Sequence, residues 1–175
     1  FNKDFVIEDN IGTVGQGVDM AFSVNAIYRN NQFTGYSSDA ANIGLKCFSQ
    51  IYDGPSIGGN TIGVGDSENV QIVGNKCDNY KSGIVLQNGK HYRITDNYLL
   101  NIKGGTGSPA AAILINYVPS GSFSTVGRPV WNVSITSNHI DGLGTVVDGC
   151  GVSFGGNAIA NSDSLNRFSI NGNMF

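Results

Sequence analysis

Five polar residues sit in or beside short apolar segments spread along the chain: Asp19, Lys46, Gln87, Asn116 and Ser153. The segments are Val18–Phe22, Asn42–Leu45, Gly83–Leu86, Ala111–Ile115 and Gly151–Phe154. Side chains alternate across a strand, so these polar residues should face outward when their apolar neighbours face inward. Strands stack ~4.8 Å apart, so Lys46, Gln87 and Asn116 are expected to form a polar row about 10 Å long. Such a row suits sugar hydroxyls, and its lysine suits an acidic sugar. Tyr117 follows Asn116, and Tyr52 and Phe123 lie on loops where they can cover apolar sugar faces. The expected substrate-binding set is Lys46, Gln87, Asn116, Tyr117, Ser153 and Tyr52.

Cleavage is harder to read from the same residues. Glycosidases use two carboxyl groups roughly 5–9.5 Å apart. Asp148, just before the last segment, and Asp19, in the first, are separated by about four strand spacings, on the order of 19 Å. They cannot pair within one chain. A lyase needs a base facing a uronate, and Lys46 and Tyr117 are the candidates on this face. The catalytic candidates are therefore Asp148, Lys46, Tyr117 and Asp19, without an assigned mechanism. An enzyme built on them would be a glycoside hydrolase or a polysaccharide lyase.

Other chemistry-bearing residues read as structural. His91 opens a strand, and His139 lies in an Asn-His-Ile turn. Trp131 has the parity of Val133 and Ile135 and is expected in the core. Asp53-Gly54 and Asp141-Gly142 read as turns. Asn132-Val133-Ser134 matches a glycosylation sequon but falls within a strand. No Cys-x-x-Cys or Cys/His cluster suggests a metal, and no cofactor is expected. Cys47, Cys77 and Cys150 keep apolar parities and read as buried free thiols, which fits assembly in a reducing cytoplasm.

A repeat must position these residues. Val70, Ile72, Asn75 and Cys77 return as Tyr92, Ile94, Asn97 and Leu99, a step of 97 − 75 = 22 residues. The pattern is apolar-x-Ile-x-x-Asn-x-apolar. It recurs at Ile135–Ile140 and Ile170–Phe175, and more loosely at Tyr28–Phe33 and Ile7–Asn10. A strand-like repeat of this period marks a β-solenoid. The asparagines should occupy the bend, in a left-handed backbone, and stack as a ladder. The second strand of each unit is expected to form the longest sheet. Loops at 48–66, 117–130 and 156–166 should leave one corner and border it.

Composition narrows the class. The chain has 175 residues, 25 of them Gly, and reads as a single domain over 1–175. No segment shows a capped helical stripe. No apolar run approaches the ~18 residues of a membrane helix. The net charge of −3 and the absence of a basic run argue against duplex nucleic acid and anionic membranes as partners. Neither end carries a visible cap, so the expectation is a segment of a longer chain or one covered by other copies.

The Ile-x-x-Asn-x-apolar coils at 72–77, 94–99, 135–140 and 170–175 resemble right-handed parallel β-helix proteins of the pectate-lyase type. That group includes polysaccharide lyases, glycoside hydrolases, epimerases and bacteriophage tailspikes. The resemblance spans nearly the whole chain and implies an all-β right-handed parallel β-helix of about five to six coils. The Gly/Ser/Asn-rich surface, low charge and lack of a signal peptide look most like a tailspike. The implied partners are a bacterial surface polysaccharide and a homotrimer or other virion copies. The implied location is the virion tail, outside the cell after cytoplasmic assembly. A stand-alone secreted lyase or hydrolase and a purely structural stack are the alternatives.

Overall fold

The computed structural model describes residues 2–15, 17–21, 23–35, 46–51, 67–87, 89–103, 111–117, 130–143, 149–156 and 165–175. Strands follow in groups of three. The first coil is β1 (Asn2–Glu8), β2 (Ile11–Thr13) and β3 (Val18–Ala21). The second is β4 (Ser23–Arg29), β5 (Gln32–Thr34) and β6 (Lys46–Ile51). The third is β7 (Glu68–Val73), β8 (Lys76–Asp78) and β9 (Ser82–Gln87). The fourth is β10 (Gly89–Thr95), β11 (Tyr98–Leu100) and β12 (Ala111–Tyr117). The fifth is β13 (Val130–Thr136), β14 (His139–Asp141) and β15 (Cys150–Gly156), and β16 (Leu165–Asn171) begins a sixth.

Each coil gives one strand to each of three sheets. Sheet A is ordered β1-β4-β7-β10-β13-β16, sheet B β14-β11-β8-β5-β2 and sheet C β15-β12-β9-β6-β3. Every pairing is parallel. The molecule is all-β, a stack of parallel strands, with no helix among the described residues.

Like residues stack in columns because the register repeats coil by coil. Tyr28, Ile72, Ile94 and Ile135 are successive partners in sheet A and all are buried. Phe33, Cys77, Leu99 and Ile140 do the same in sheet B. Ile84 pairs with Ile113, and Leu86 with Ile115, on the inner side of sheet C. These columns form one core.

The asparagine ladder closes the bend between sheets A and B. Asn10, Asn31, Asn75, Asn97 and Asn138 each donate from the side-chain amide to the side-chain oxygen of the next, ending at Asn173. The distances are 2.8, 2.9, 3.0, 2.9 and 2.9 Å. The backbone N–H of each donates to the same oxygen. Asn75, Asn97 and Asn138 also donate to the carbonyls of Tyr28, Ile72 and Ile94 in the preceding coil. The left-handed residue is one position earlier than expected. Asp9, Asn30, Gly74, Asp96, Ser137 and Gly172 have φ of 56°, 55°, 65°, 56°, 56° and 63°. The chain turns on that residue, which frees the asparagine side chain to point into the stack.

Four further expectations are corrected. Sheet A, not sheet C, is the longest: it has six strands, five of them of seven residues. The second coil's contribution to sheet C lies at Lys46–Ile51, so 48–51 are strand where a loop is expected. Phe48, not Leu45, takes the column position beside Ile84. Cys77 is disulfide-bonded, so three reduced cysteines do not describe this chain. The residues 42–45, and 57–62 with their repeat-like Ile57–Ile62, lie outside the described residues.

Candidate functional site

The outer face of sheet A carries a second stacked column, which the repeat pattern did not reveal. Asp4, Asn25, Asn69, His91, Asn132 and Arg167 have φ between 50° and 61°. The pairing skips these positions: Lys90 pairs with Trp131 and then Tyr92 with Val133. Asn and Asp tolerate this left-handed conformation better than most residues, which accounts for four of the six. Their side chains hydrogen-bond along the stack. Asn25 donates to Asp4 at 2.7 Å, Asn69 to Asn25 at 3.1 Å, and the Asn132 amide bonds the His91 imidazole.

One left-handed residue inside a strand switches the side to which the preceding residues point. That is why Trp131 is not in the core. It lies two residues before buried Val133, but Asn132 stands between, and the indole is only half-buried. The inward position before the bulge belongs to Val130.

Trp131 is the centre of a polar and aromatic cluster drawn from three coils. Glu68, Lys90 and Trp131 are successive register partners on β7, β10 and β13. The Lys90 ammonium lies 3.1 Å from the Glu68 carboxylate and 6.0 Å from the indole centroid. The His91 ring stands 5.2 Å from the indole, tilted by 52°. A cation near an indole face is held electrostatically, and the ion pair keeps the lysine from collapsing onto the ring. The arrangement offers a flat apolar surface edged by an ammonium, a carboxylate, an imidazole and an amide. It can bind and orient a polar ligand. Glu68 is already engaged by Lys90, and no second carboxylate shares its row.

A second concavity lies along the turn between sheets A and B. It encloses about 350 Å³ and is lined by residues that include Asp96, Tyr98, His139 and Met174. Tyr98 is 54% exposed, and its ring stands 5.7 Å from that of His139. Both project from the outer side of sheet B, where Tyr98 and His139 are register partners.

The residues expected to bind substrate are only partly brought together. Gln87 pairs with Asn116, so these two share one rung of sheet C. Lys46 pairs with Ser82, five residues before Gln87, hence roughly 17 Å away along the strand. The expected row of three does not form. The reason is the position of β6, which shifts Lys46 to the parity of Phe48. Tyr117 pairs with Gly156 at the end of β12. Asp19 belongs to the row Ser49, Val85, Leu114 and Ser153. Val85 in that row is only 1% exposed, so the outer face of sheet C is not uniformly solvated. Asp148, Tyr52 and Phe123 lie outside the described residues. No cluster of three or more His, Cys, Asp or Glu side chains fit for a metal occurs among the described residues.

Burial acts on Tyr80. Tyr80 is enclosed beside the core, its hydroxyl donates to the Val14 carbonyl at 3.0 Å, and desolvation raises its pKa from 10.0 to about 12. It is a structural hydroxyl and lies in none of the surface clusters. No family model, curated protein or solved structure matches this chain.

Proposed function

We propose that this chain is a right-handed parallel β-helix of the tailspike kind that recognises a bacterial surface polysaccharide. Three parallel sheets joined by a continuous asparagine ladder support the fold part of this reading. The observation that carries the functional part is Trp131. An indole held out of the core, with an ammonium, an imidazole and an amide around it, supplies the two things a sugar needs. Its face covers the apolar side of a pyranose ring, and the polar groups bond the hydroxyls. The parallel stack holds these groups on neighbouring strands ~4.8 Å apart, so no loop must be ordered on binding.

Trp131 is the one tryptophan of the chain, so its fluorescence reports on this site alone. Titration with a panel of bacterial surface polysaccharides should shift or quench the emission saturably. Trp131→Ala, which removes the reporter and is therefore read by calorimetry, should abolish that binding, whereas Tyr98→Ala should not. If glycans bind with no change in emission, the site lies elsewhere. The double variant Gln87→Ala, Asn116→Ala then tests the rung of sheet C. If no glycan binds, the structural-stack reading takes over.

A specific observation bears on assembly. Phe154, Ile170 and Phe175 belong to inward columns yet are 37%, 40% and 71% exposed at the last coil. Apolar surface of this kind favours burial against further chain, its own or that of another copy, as in the homotrimer of the tailspike reading.

A further inference from the structure

The outer face of sheet A carries more positive charge than the chain as a whole, and the register shows where. On β10 and β16, Lys90, His91, Arg93 and Arg167 all lie on outward rows. Lys90 is neutralised by Glu68. Arg93 and Arg167 are exposed, and neither has an ion-pair partner among the described residues. Arg93 is in register with Ser134 and Ser169, and Arg167 precedes Ser169 by two residues. The two guanidinium-bearing positions are therefore offset by two strand spacings, roughly 10 Å across the sheet, and by two residues along it. β13 runs between them, with Asn132 and Ser134 on the path and Trp131 at its edge, in register with Asn166 beside Arg167. The nearest further acid in sequence on this flank, Asp96, stands at the turn beyond β10, three residues past Arg93. The chain has a net charge of −3, so this cationic face runs against its average.

We infer that the ligand of this face is an acidic polysaccharide, with carboxylates or sulfates on alternate sugars bonded by Arg93 and Arg167 beside the Trp131 platform. The inference rests on the glycan reading and adds the charge of the ligand to it. The physical case is complementarity. Guanidinium groups bond planar oxyanions through paired N–H donors, and such bonds are stronger than neutral ones. The indole beside the cations favours a sugar ring over a bare polyanion. Duplex nucleic acid would need many more phosphate contacts than two arginines provide.

The test uses the full chain and the Trp131 emission. The probes are polygalacturonate, chondroitin sulfate, neutral dextran and single-stranded oligodeoxythymidine. The acidic polysaccharides should bind at least about tenfold more tightly than dextran, with the advantage shrinking as salt is raised. Arg93→Gln and Arg167→Asn should each weaken acidic-glycan binding by about tenfold and leave any dextran binding unchanged. Arg167→Asn places the residue of Asn69 and Asn132 in the same left-handed column, so the backbone is preserved. Melting temperatures confirm that both variants fold. Equal affinity for dextran and the acidic polymers overturns this inference and leaves the glycan reading standing. Tighter binding of oligodeoxythymidine than of any saccharide, or no binding of any polymer, overturns both.

Discussion

Each ladder asparagine does the work of several backbone groups. Asn97 accepts from the backbone N–H and side-chain amide of Asn75, and its own amide reaches the carbonyls of Ile72 and Thr95 and the side chain of Asn138. All of this is buried, so truncation leaves donors and carbonyls with no water to turn to. Asn97→Ala should cost about 3 kcal/mol or more in denaturant unfolding, well above a surface asparagine such as Asn171. A loss below 1 kcal/mol would mean that the ladder is ornamental. Tyr80 allows a second test. Its folded pKa is raised, so the term it contributes is fully present below pH 10 and disappears as the pH rises from 10 towards 12. Unfolding free energy should decline across that window, by on the order of 2 kcal/mol for this group, and Tyr80→Phe should flatten the decline.

At the scale of the strand, β10 brings together the two devices of sheet A. It carries the inward Tyr92 and Ile94 and the outward Lys90 and His91, with the sign change at His91. Its start depends on Gly89, whose φ is 105° and whose added Cβ would lie 2.5 Å from the Ser67 carbonyl and the Tyr92 hydroxyl. Gly89→Ala should destabilise the fold by roughly 2 kcal/mol or more, because both backbone strain and the clash act together. It should also displace Lys90 and alter Trp131 emission before the protein unfolds. An unchanged spectrum and melting curve would show that β10 can shift without cost.

The whole molecule behaves as a column with one continuous core. A charge placed in the middle of that column has no partner and no route to water. Ile94→Asp should abolish folding, read by circular dichroism, with a cost above about 4 kcal/mol. The last coil is the reverse case. Phe154, Ile170 and Phe175 continue inward columns but face solvent. Light scattering should show association that grows with protein concentration, and the double change Ile170→Ser, Phe175→Ser should reduce it. A concentration-independent monomer before and after the change would show that this end is tolerated by itself.

The repeat was legible because strand alternation and the Asn position are local properties. Val70, Ile72 and Asn75 predicted their own burial, their columns and the ladder without reference to any distant residue. A parallel stack of five coils and the start of a sixth follows from copying one such unit. The register of the irregular second coil was not legible. Lys46 moved off the expected row because β6 begins three residues later than the Ile43-Leu45 pattern suggested, and only pairing with β9 sets that start. Trp131 was misjudged for a related reason. A single left-handed residue, Asn132, reverses the alternation; asparagine permits that conformation, but only stacking on His91 and Asn69 shows that this one adopts it. The candidate site has the same origin. Glu68, Lys90, Trp131 and Arg167 are spread over 100 residues of sequence. Composition shows only a weakly acidic chain, and it is stacking at ~4.8 Å per strand that turns separated charges into one cationic face around an indole.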